Sequence, residues 1–120
     1  MTKFTHAMDA AHGWIGVPEA LLEKLAIDHA ISDYSYYDRK PAGSVVWLEE
    51  DGDALLFIEA YRARFGDTPQ IVGRDDGRHS PVRDLRPWRG TGMGWKAQLA
   101  MIEAFRAEVA RKLADAEPAA

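Results

Sequence analysis

The sequence has no cysteine among its 120 residues. This absence excludes disulfide bonds, zinc sites with cysteine ligands and thiol chemistry. Long apolar runs are also absent, because no stretch approaches the roughly 20 residues that a membrane-spanning helix requires. The first residues include Asp9 and contain no apolar core segment, so we expect no secretory signal and a cytoplasmic location.

Several signatures of site chemistry are missing too. The four histidines include no pair at the i, i+4 spacing of a helical metal site, and no serine lies in the glycine frame of a nucleophile elbow. The glycine-rich residues 90–96 lack the adjacent Gly-Lys-Ser/Thr of a phosphate-binding loop, because Trp95 separates Gly94 from Lys96. We therefore predict no metal, no cofactor and no catalytic residues, and we interpret the protein as non-enzymatic.

The charge is distributed unevenly along a composition that is typical of a single soluble domain, with 47% apolar and 28% charged residues. Residues 1–60 contain four Lys and Arg against eleven acids, whereas residues 61–120 contain eleven against eight. This asymmetry predicts two surfaces of opposite sign, which favours electrostatic steering of a charged partner. We expect one domain over residues 1–120, with residues 1–11 and 115–120 loose.

The pattern of apolar residues predicts an α+β fold. Three or four short strands form a small, mostly antiparallel sheet, at residues 14–17, 34–37, 45–48 and, as the fourth, 70–72. Three helices pack on this sheet, near residues 18–26, 52–65 and 93–114, and the C-terminal helix is the longest. The turn sequence Lys-Pro-Ala-Gly at residues 40–43 predicts that the second and third strands form a hairpin.

An acidic turn joins the third strand to the second helix. It contains Glu49, Glu50, Asp51 and Asp53, with Gly52 inside the turn. The acids do not match a calcium-binding loop, because aligning the glycine with that pattern places a tryptophan at the first ligand position. Two interpretations remain. The acids either stabilise the N-terminus of the helix through its dipole, or form a negative surface that binds a basic partner.

An arginine-rich stretch occupies residues 74–89 and contains Arg74, Arg78, Arg83, Arg86 and Arg89 together with Trp88. Arginine beside tryptophan is typical of surfaces that grip phosphates or bases. Three aspartates are interleaved with the arginines, so ion pairs that tie down a long loop are the alternative. We expect a loop of some sixteen residues, which is longer than a small domain usually contains.

Aromatic residues are numerous for a small core. The helical and strand patterns place Trp14, Trp47 and Trp95 on apolar faces, so we expect these three in the core. Trp88 and one or two of the tyrosines at positions 34, 36 and 37 lie in irregular or edge segments. We predict Trp88, Tyr36 and Tyr37 as partner-binding residues, because exposed aromatic residues beside arginine are typical interface anchors.

Three motifs carry a resemblance to a known family: HGWIGVP at residues 12–18, YSY at 34–36 and WLEEDGDA at 47–54. Over residues 11–65 the sequence resembles a small domain of accessory proteins encoded by bacterial plasmids, integrative elements and phages. That family has no assigned activity and no catalytic residues to transfer. The resemblance implies an accessory factor or an inhibitor of host defence, of which anti-CRISPR proteins are one kind.

We therefore expect a small binding protein, monomeric or homodimeric, that docks a nucleic-acid-handling complex through charged and aromatic surfaces. Its partner is then a protein or a nucleoprotein complex, without a membrane. One alternative is direct nucleic-acid binding through residues 74–89. A third hypothesis is a small enzyme whose Tyr/Asp/His group is assembled from the tyrosines, Asp33, Asp38 and a histidine.

Overall fold

A computed structural model describes residues 2–90 and 93–116 and shows an α+β fold with a single six-stranded sheet and three helices. The strands are β1 (Lys3–Met8), β2 (Gly13–Pro18), β3 (Tyr36–Asp38), β4 (Val45–Glu49), β5 (Gln70–Asp75) and β6 (Arg86–Pro87). The helices are α1 (Glu19–Lys24), α2 (Asp53–Phe65) and α3 (Trp95–Ala116), and α3 is the longest with 22 residues. Short 3-10 turns lie at Asp28–Ala30 and Pro81–Asp84.

The sheet has the order β5-β1-β2-β4-β3-β6. The β1–β5 pair is parallel, and the other neighbouring strands are antiparallel. The predicted hairpin is confirmed, since β3 pairs with β4 and aligns Tyr36 with Trp47. The sheet is larger than the expected three or four strands and is mixed, because β1 enters its interior and gives β5 a parallel partner.

The expectation that residues 1–11 are loose is wrong over Lys3–Met8, which form β1 between β5 and β2. Phe4 is buried on the helical side of the sheet, where its ring meets Phe57 edge to face at 5.2 Å. Ala7 is buried on the opposite side. Because these apolar residues are three positions apart, they show no period of two, and the sequence pattern hides the strand. At the other end α3 continues through Ala116, and residues 117–120 lie outside the described chain.

Helices α2 and α3 lie side by side with the same direction. Arg106 Nε of α3 donates to Glu59 Oε2 of α2 at 3.2 Å, and further along Lys112 Nζ donates to the Ala63 carbonyl oxygen at 2.6 Å. Helix α2 ends at Gly66, whose φ of 84° is the left-handed conformation that closes a helix at little steric cost. None of the described helices combines the length and the apolar character needed to cross a membrane.

The side of the sheet opposite the helices carries an aromatic face, formed by Trp14, Tyr36 and Trp47. The arginine-rich stretch folds over part of this face and buries Val82 there. It is therefore not a loop of sixteen residues, because it contains the end of β5, the 3-10 turn Pro81–Asp84 and strand β6. Contacts with a distant part of the chain impose this order, and local sequence patterns do not reveal them.

Candidate functional site

Asp53 joins three segments of the chain at the N-terminus of α2. Its side chain is buried, with the residue only 1% exposed. Oδ2 accepts hydrogen bonds from Ser32 Oγ at 2.6 Å and Ser35 Oγ at 2.5 Å, while Oδ1 accepts one from Gln98 Nε2 at 2.5 Å. This carboxylate therefore connects the segment before β3, the start of α2 and the first turns of α3.

A cavity of about 500 Å³ opens beside this network, and we call it the acidic cleft. The lining side chains on which its chemistry depends are Asp33, Tyr34, Glu49, Asp51, Asp53 and Trp95. Four of these carry carboxylates, and no Lys, Arg or His is among the described residues that line the cavity. Its volume lies within the range of ligand-binding cavities, about 300–1,000 Å³. Negative charge therefore dominates a concave surface.

Two aromatic side chains at the acidic cleft are strongly exposed. Tyr34 is 75% exposed and Trp95 is 50% exposed. The indole ring of Trp95 lies close to the backbone of Gly52, where an added Cβ atom would come within 3.3 Å of that ring and 2.9 Å of Gln98 Oε1. A side chain at position 52 would thus displace Trp95 or Gln98, so this glycine permits the close approach of α3 to the acidic turn.

Glu49 is half-buried at the acidic cleft. Burial raises the pKa of its carboxyl, and the negative charges of Asp51 and Asp53 act in the same direction. Two hydrogen bonds oppose this effect, because Oε1 accepts the backbone N–H groups of Gly52 at 2.8 Å and Asp51 at 2.6 Å. Oε2 accepts no hydrogen bond from the described residues, so it remains available to a ligand.

A second cavity, of about 410 Å³, lies next to the acidic cleft, and we call it the aromatic cavity. The two cavities share Tyr34, Glu49 and Asp51 as lining residues. The aromatic cavity is further lined by His12, Trp14, Tyr36 and Arg83. A ligand that follows the surface from one cavity to the other therefore crosses the same two carboxylates and the same exposed tyrosine.

The four predicted acids have different environments. Glu49 and Asp51 face the acidic cleft, and Asp51 is exposed. Asp53 lines the same cavity, but its oxygens are occupied by the internal hydrogen bonds described above. Glu50 is exposed and lies 4.0 Å from His12 Nδ1, outside the lining of either cavity. Two of the four acids are thus both at the cleft and without a hydrogen bond or ion pair to the side chain of any other described residue.

Two of the five predicted arginines are paired within the fold. Arg83 donates to the Asp9 carboxylate, with Nη2 2.9 Å from Oδ1, and its guanidinium lies 5.1 Å from the ring of Trp14. The hydrogen bond from Arg83, followed by one from the Ser80 backbone, holds the pKa of Asp9 well below its ordinary value. The Asp9 side chain is completely covered. This pair fixes the arginine-rich stretch to the turn after β1.

Arg74 makes a similar arrangement at the end of β5. Its Nε donates to Asp76 Oδ1 at 2.7 Å, and its guanidinium lies 5.3 Å from the ring of Trp47. This hydrogen bond lowers the pKa of Asp76 and raises the pKa of Arg74. Arg78, Arg86 and Arg89 are exposed and form no ion pair with any described residue.

The predicted aromatic residues are mostly engaged within the fold. Trp88 is half-buried and meets Tyr37 edge to face at 5.2 Å, and the Tyr37 hydroxyl donates to Glu19 Oε1 at 2.8 Å. Tyr36 meets Trp14 edge to face at 6.0 Å and lines the aromatic cavity. Of these three, Tyr36 is thus the one that borders the candidate site.

Sequence reasoning missed Tyr34 and wrongly placed Trp95 in the core. Trp95 does fall on the apolar stripe of α3. It is the first residue of that helix, however, and it lies beside Gly52, just before the N-terminus of α2, where it is half exposed. Asp9 was missed because residues 1–11 were expected to be loose. No pattern in the sequence distinguishes Tyr34 from its neighbouring tyrosines.

The described residues contain no group of three or more His, Asp or Glu side chains arranged to hold a metal ion. No family model, no curated protein and no solved structure matches this chain. The resemblance to accessory proteins of mobile elements therefore stays a prediction.

Proposed function

We propose that this chain is a small non-enzymatic binding protein that docks a basic surface of a protein partner through the acidic cleft. The observation that carries the proposal is the combination, in one cavity, of two exposed aromatic rings with four carboxylates and no basic residue among the described lining. Exposed aromatic anchors supply contact area, and complementary charge supplies steering and orientation.

The proposal extends to the class of partner. A protein that handles nucleic acid has a basic groove, and an acidic surface offers that groove the same sign of charge as phosphate. The mobile-element resemblance implies an inhibitor of such a complex. An acidic surface would allow this inhibitor to bind the basic groove of its target. The cleft supports the charge complementarity, and the resemblance supports the anti-CRISPR-like role.

An affinity capture from lysate of the source organism tests the docking, using tagged protein and nuclease treatment. We expect Asp51→Lys to abolish recovery of a nuclease-resistant protein partner, because it reverses a charge that lines both cavities. Asp67→Lys is the matched control, since Asp67 is also exposed but lies beyond the C-terminus of α2. Equal recovery by the two variants would contradict docking through the acidic cleft.

Catalysis is the second candidate, because the aromatic cavity brings His12, Tyr34, Tyr36 and Asp51 together. A catalytic group of this kind is recognised by hydrogen bonds that link the nucleophile to its base and the base to an orienting residue. No side-chain hydrogen bond links any two of these four among the described residues, so the geometry supports binding better than turnover. Nucleic-acid binding through Arg78, Arg86 and Arg89 is the remaining alternative.

A further inference from the structure

We propose that the acidic cleft accepts the side chain of an arginine from the protein partner, with its guanidinium between the rings of Tyr34 and Trp95 and the carboxylate of Glu49. This inference rests on the proposed function, because it names the group on the basic partner that the cleft recognises. It goes further by specifying one side-chain type rather than general positive charge.

The lining of the cleft favours a planar cation. Guanidinium stacks on aromatic faces, and it presents its N–H donors in a fixed plane that matches a carboxylate. Tyr34 and Trp95 supply exposed rings, at 75% and 50% exposure. A lysine ammonium is a compact, strongly hydrated charge, so it gains less from two rings and gives up more hydration in a partly enclosed cavity.

The acceptors that such a cation needs are present, and the described residues leave them without hydrogen bonds. Glu49 Oε2 and the carboxylates of Asp33 and Asp51 accept no hydrogen bonds from described residues, although all three side chains line the cleft. The hydrogen bonds of Asp53 hold the cleft in place, because they connect Ser32 with Gln98 of α3. Ser32 directly precedes Asp33 and Tyr34, and Gln98 lies one turn after Trp95. The site is thus organised before a ligand arrives, which lowers the entropic cost of binding.

The size of the cavities indicates that the arginine belongs to a chain. A volume of about 500 Å³ exceeds what one side chain fills, and the adjoining aromatic cavity adds about 410 Å³ across the shared Tyr34 and Asp51. An extended segment with its arginine in the acidic cleft would lie with its neighbouring residues against Tyr36 and His12.

The test is an NMR titration of the full chain with three pentapeptides, Ac-GGXGG-amide, in which X is arginine, lysine or citrulline. The indole N–H signal of Trp95 reports on the cleft. We expect arginine to bind about threefold or more tightly than lysine, because of ring stacking. We expect about tenfold weaker binding of citrulline, which has the shape of arginine without its charge.

Two variants locate the binding. Glu49→Gln keeps an oxygen for the backbone N–H groups of Asp51 and Gly52 but removes the charge, so arginine binding should weaken several-fold. Trp95→Ala should reduce it by about threefold or more, read from the backbone amide of Gly52. Leu113→Ala is the control, because Leu113 is 63% exposed on the same helix and far from the cleft. Arginine and lysine binding equally, no binding by the arginine peptide, or binding unchanged in Glu49→Gln would each overturn the proposal.

The two proposals fail in different ways. If the arginine peptide does not bind but Asp51→Lys still abolishes partner capture, the docking surface is correct and the arginine assignment is wrong. If the arginine peptide binds as expected but capture is unaffected by Asp51→Lys, the cleft recognises arginine and the partner docks elsewhere.

Discussion

The acidic turn and the arginine-rich stretch are both dense in charge, but the fold treats them in opposite ways. In the arginine-rich stretch, Arg74 and Arg83 are paired with aspartates and lie over tryptophan rings of the sheet. In the acidic turn, Glu49 and Asp51 border a cavity that contains no basic side chain among its described lining residues. A charge cluster in sequence is therefore open to a ligand only where the fold leaves it without partners.

The difference comes from contacts between distant parts of the chain. Arg83 meets an aspartate 74 positions earlier in the sequence. Asp53, within the acidic turn, is likewise satisfied by Ser32 and by Gln98, which is 45 positions later. Each region thus contains charges that stabilise the fold and charges that have no partner among the described residues.

The largest effect is expected for Asp53→Ala. Removing this carboxylate leaves the hydroxyls of Ser32 and Ser35 without their acceptor, and the Gln98 amide keeps only the Ala30 carbonyl oxygen of its two acceptors. In a buried site we expect this to cost about 3 kcal/mol of unfolding free energy. Urea denaturation measures the loss. Asp51→Ala, two positions away but exposed, should change the unfolding free energy by no more than about 0.5 kcal/mol. Similar values for both variants would mean that Asp53 does not hold the cleft together.

A smaller, pH-dependent effect is expected for Asp9→Asn. Because the pKa of Asp9 is lowered in the folded protein, folding favours the ionised carboxylate. Its stabilising contribution is complete above the pKa of an unfolded aspartate, about 4, and is lost as the pH falls below that value towards the folded pKa. At neutral pH the unfolding free energy of Asp9→Asn should therefore be clearly lower than that of the wild type. This difference in unfolding free energy should become smaller as the pH falls below about 4.

Denaturation curves between pH 3 and pH 7 measure this gap. Asp67→Asn serves as the control, since Asp67 is exposed and forms no ion pair with any described residue. A gap for Asp9→Asn that stays constant over the whole pH range would show that the Asp9–Arg83 pair does not fix the arginine-rich stretch.

The smallest effect is expected for the triple variant Arg78→Gln, Arg86→Gln, Arg89→Gln. If the acidic cleft is the docking surface, capture of the partner should change by less than about twofold, because these arginines lie outside the lining of both cavities. Filter binding to single-stranded DNA across a salt series tests the nucleic-acid alternative. That alternative requires the wild type to bind the DNA. It also requires that, in a plot of the logarithm of the binding constant against the logarithm of the salt concentration, the slope is shallower for the triple variant by about 0.7 per lost phosphate contact.

The order of most elements was predictable from local patterns. Strands β2 to β4 and all three helices appear within a few residues of their predicted bounds, since apolar periodicity and turn residues determine them locally. Strand β1 was not predictable, because Phe4 and Ala7 face opposite sides of the sheet. Its identity as a strand depends on pairing with β2 and β5, and pairing partners are not encoded in a local window.

The candidate site was predictable in part. The sequence identifies Glu49 and Asp51 as acids between a strand and a helix. It does not show that Tyr34 and Trp95, 61 positions apart, border the same cavity, because this depends on the packing of α3 beside α2. Nor does it show that Arg83 is neutralised by an aspartate in a segment that seemed unstructured.

A side-by-side capture with wild type, Asp51→Lys and the triple arginine variant, each treated with nuclease, separates the acidic cleft from the arginine-rich stretch. If the partner docks on the acidic cleft, Asp51→Lys loses the partner and the triple variant retains it. Loss of the partner by the triple variant, with retention by Asp51→Lys, would contradict docking through the cleft and assign binding to the arginine-rich stretch.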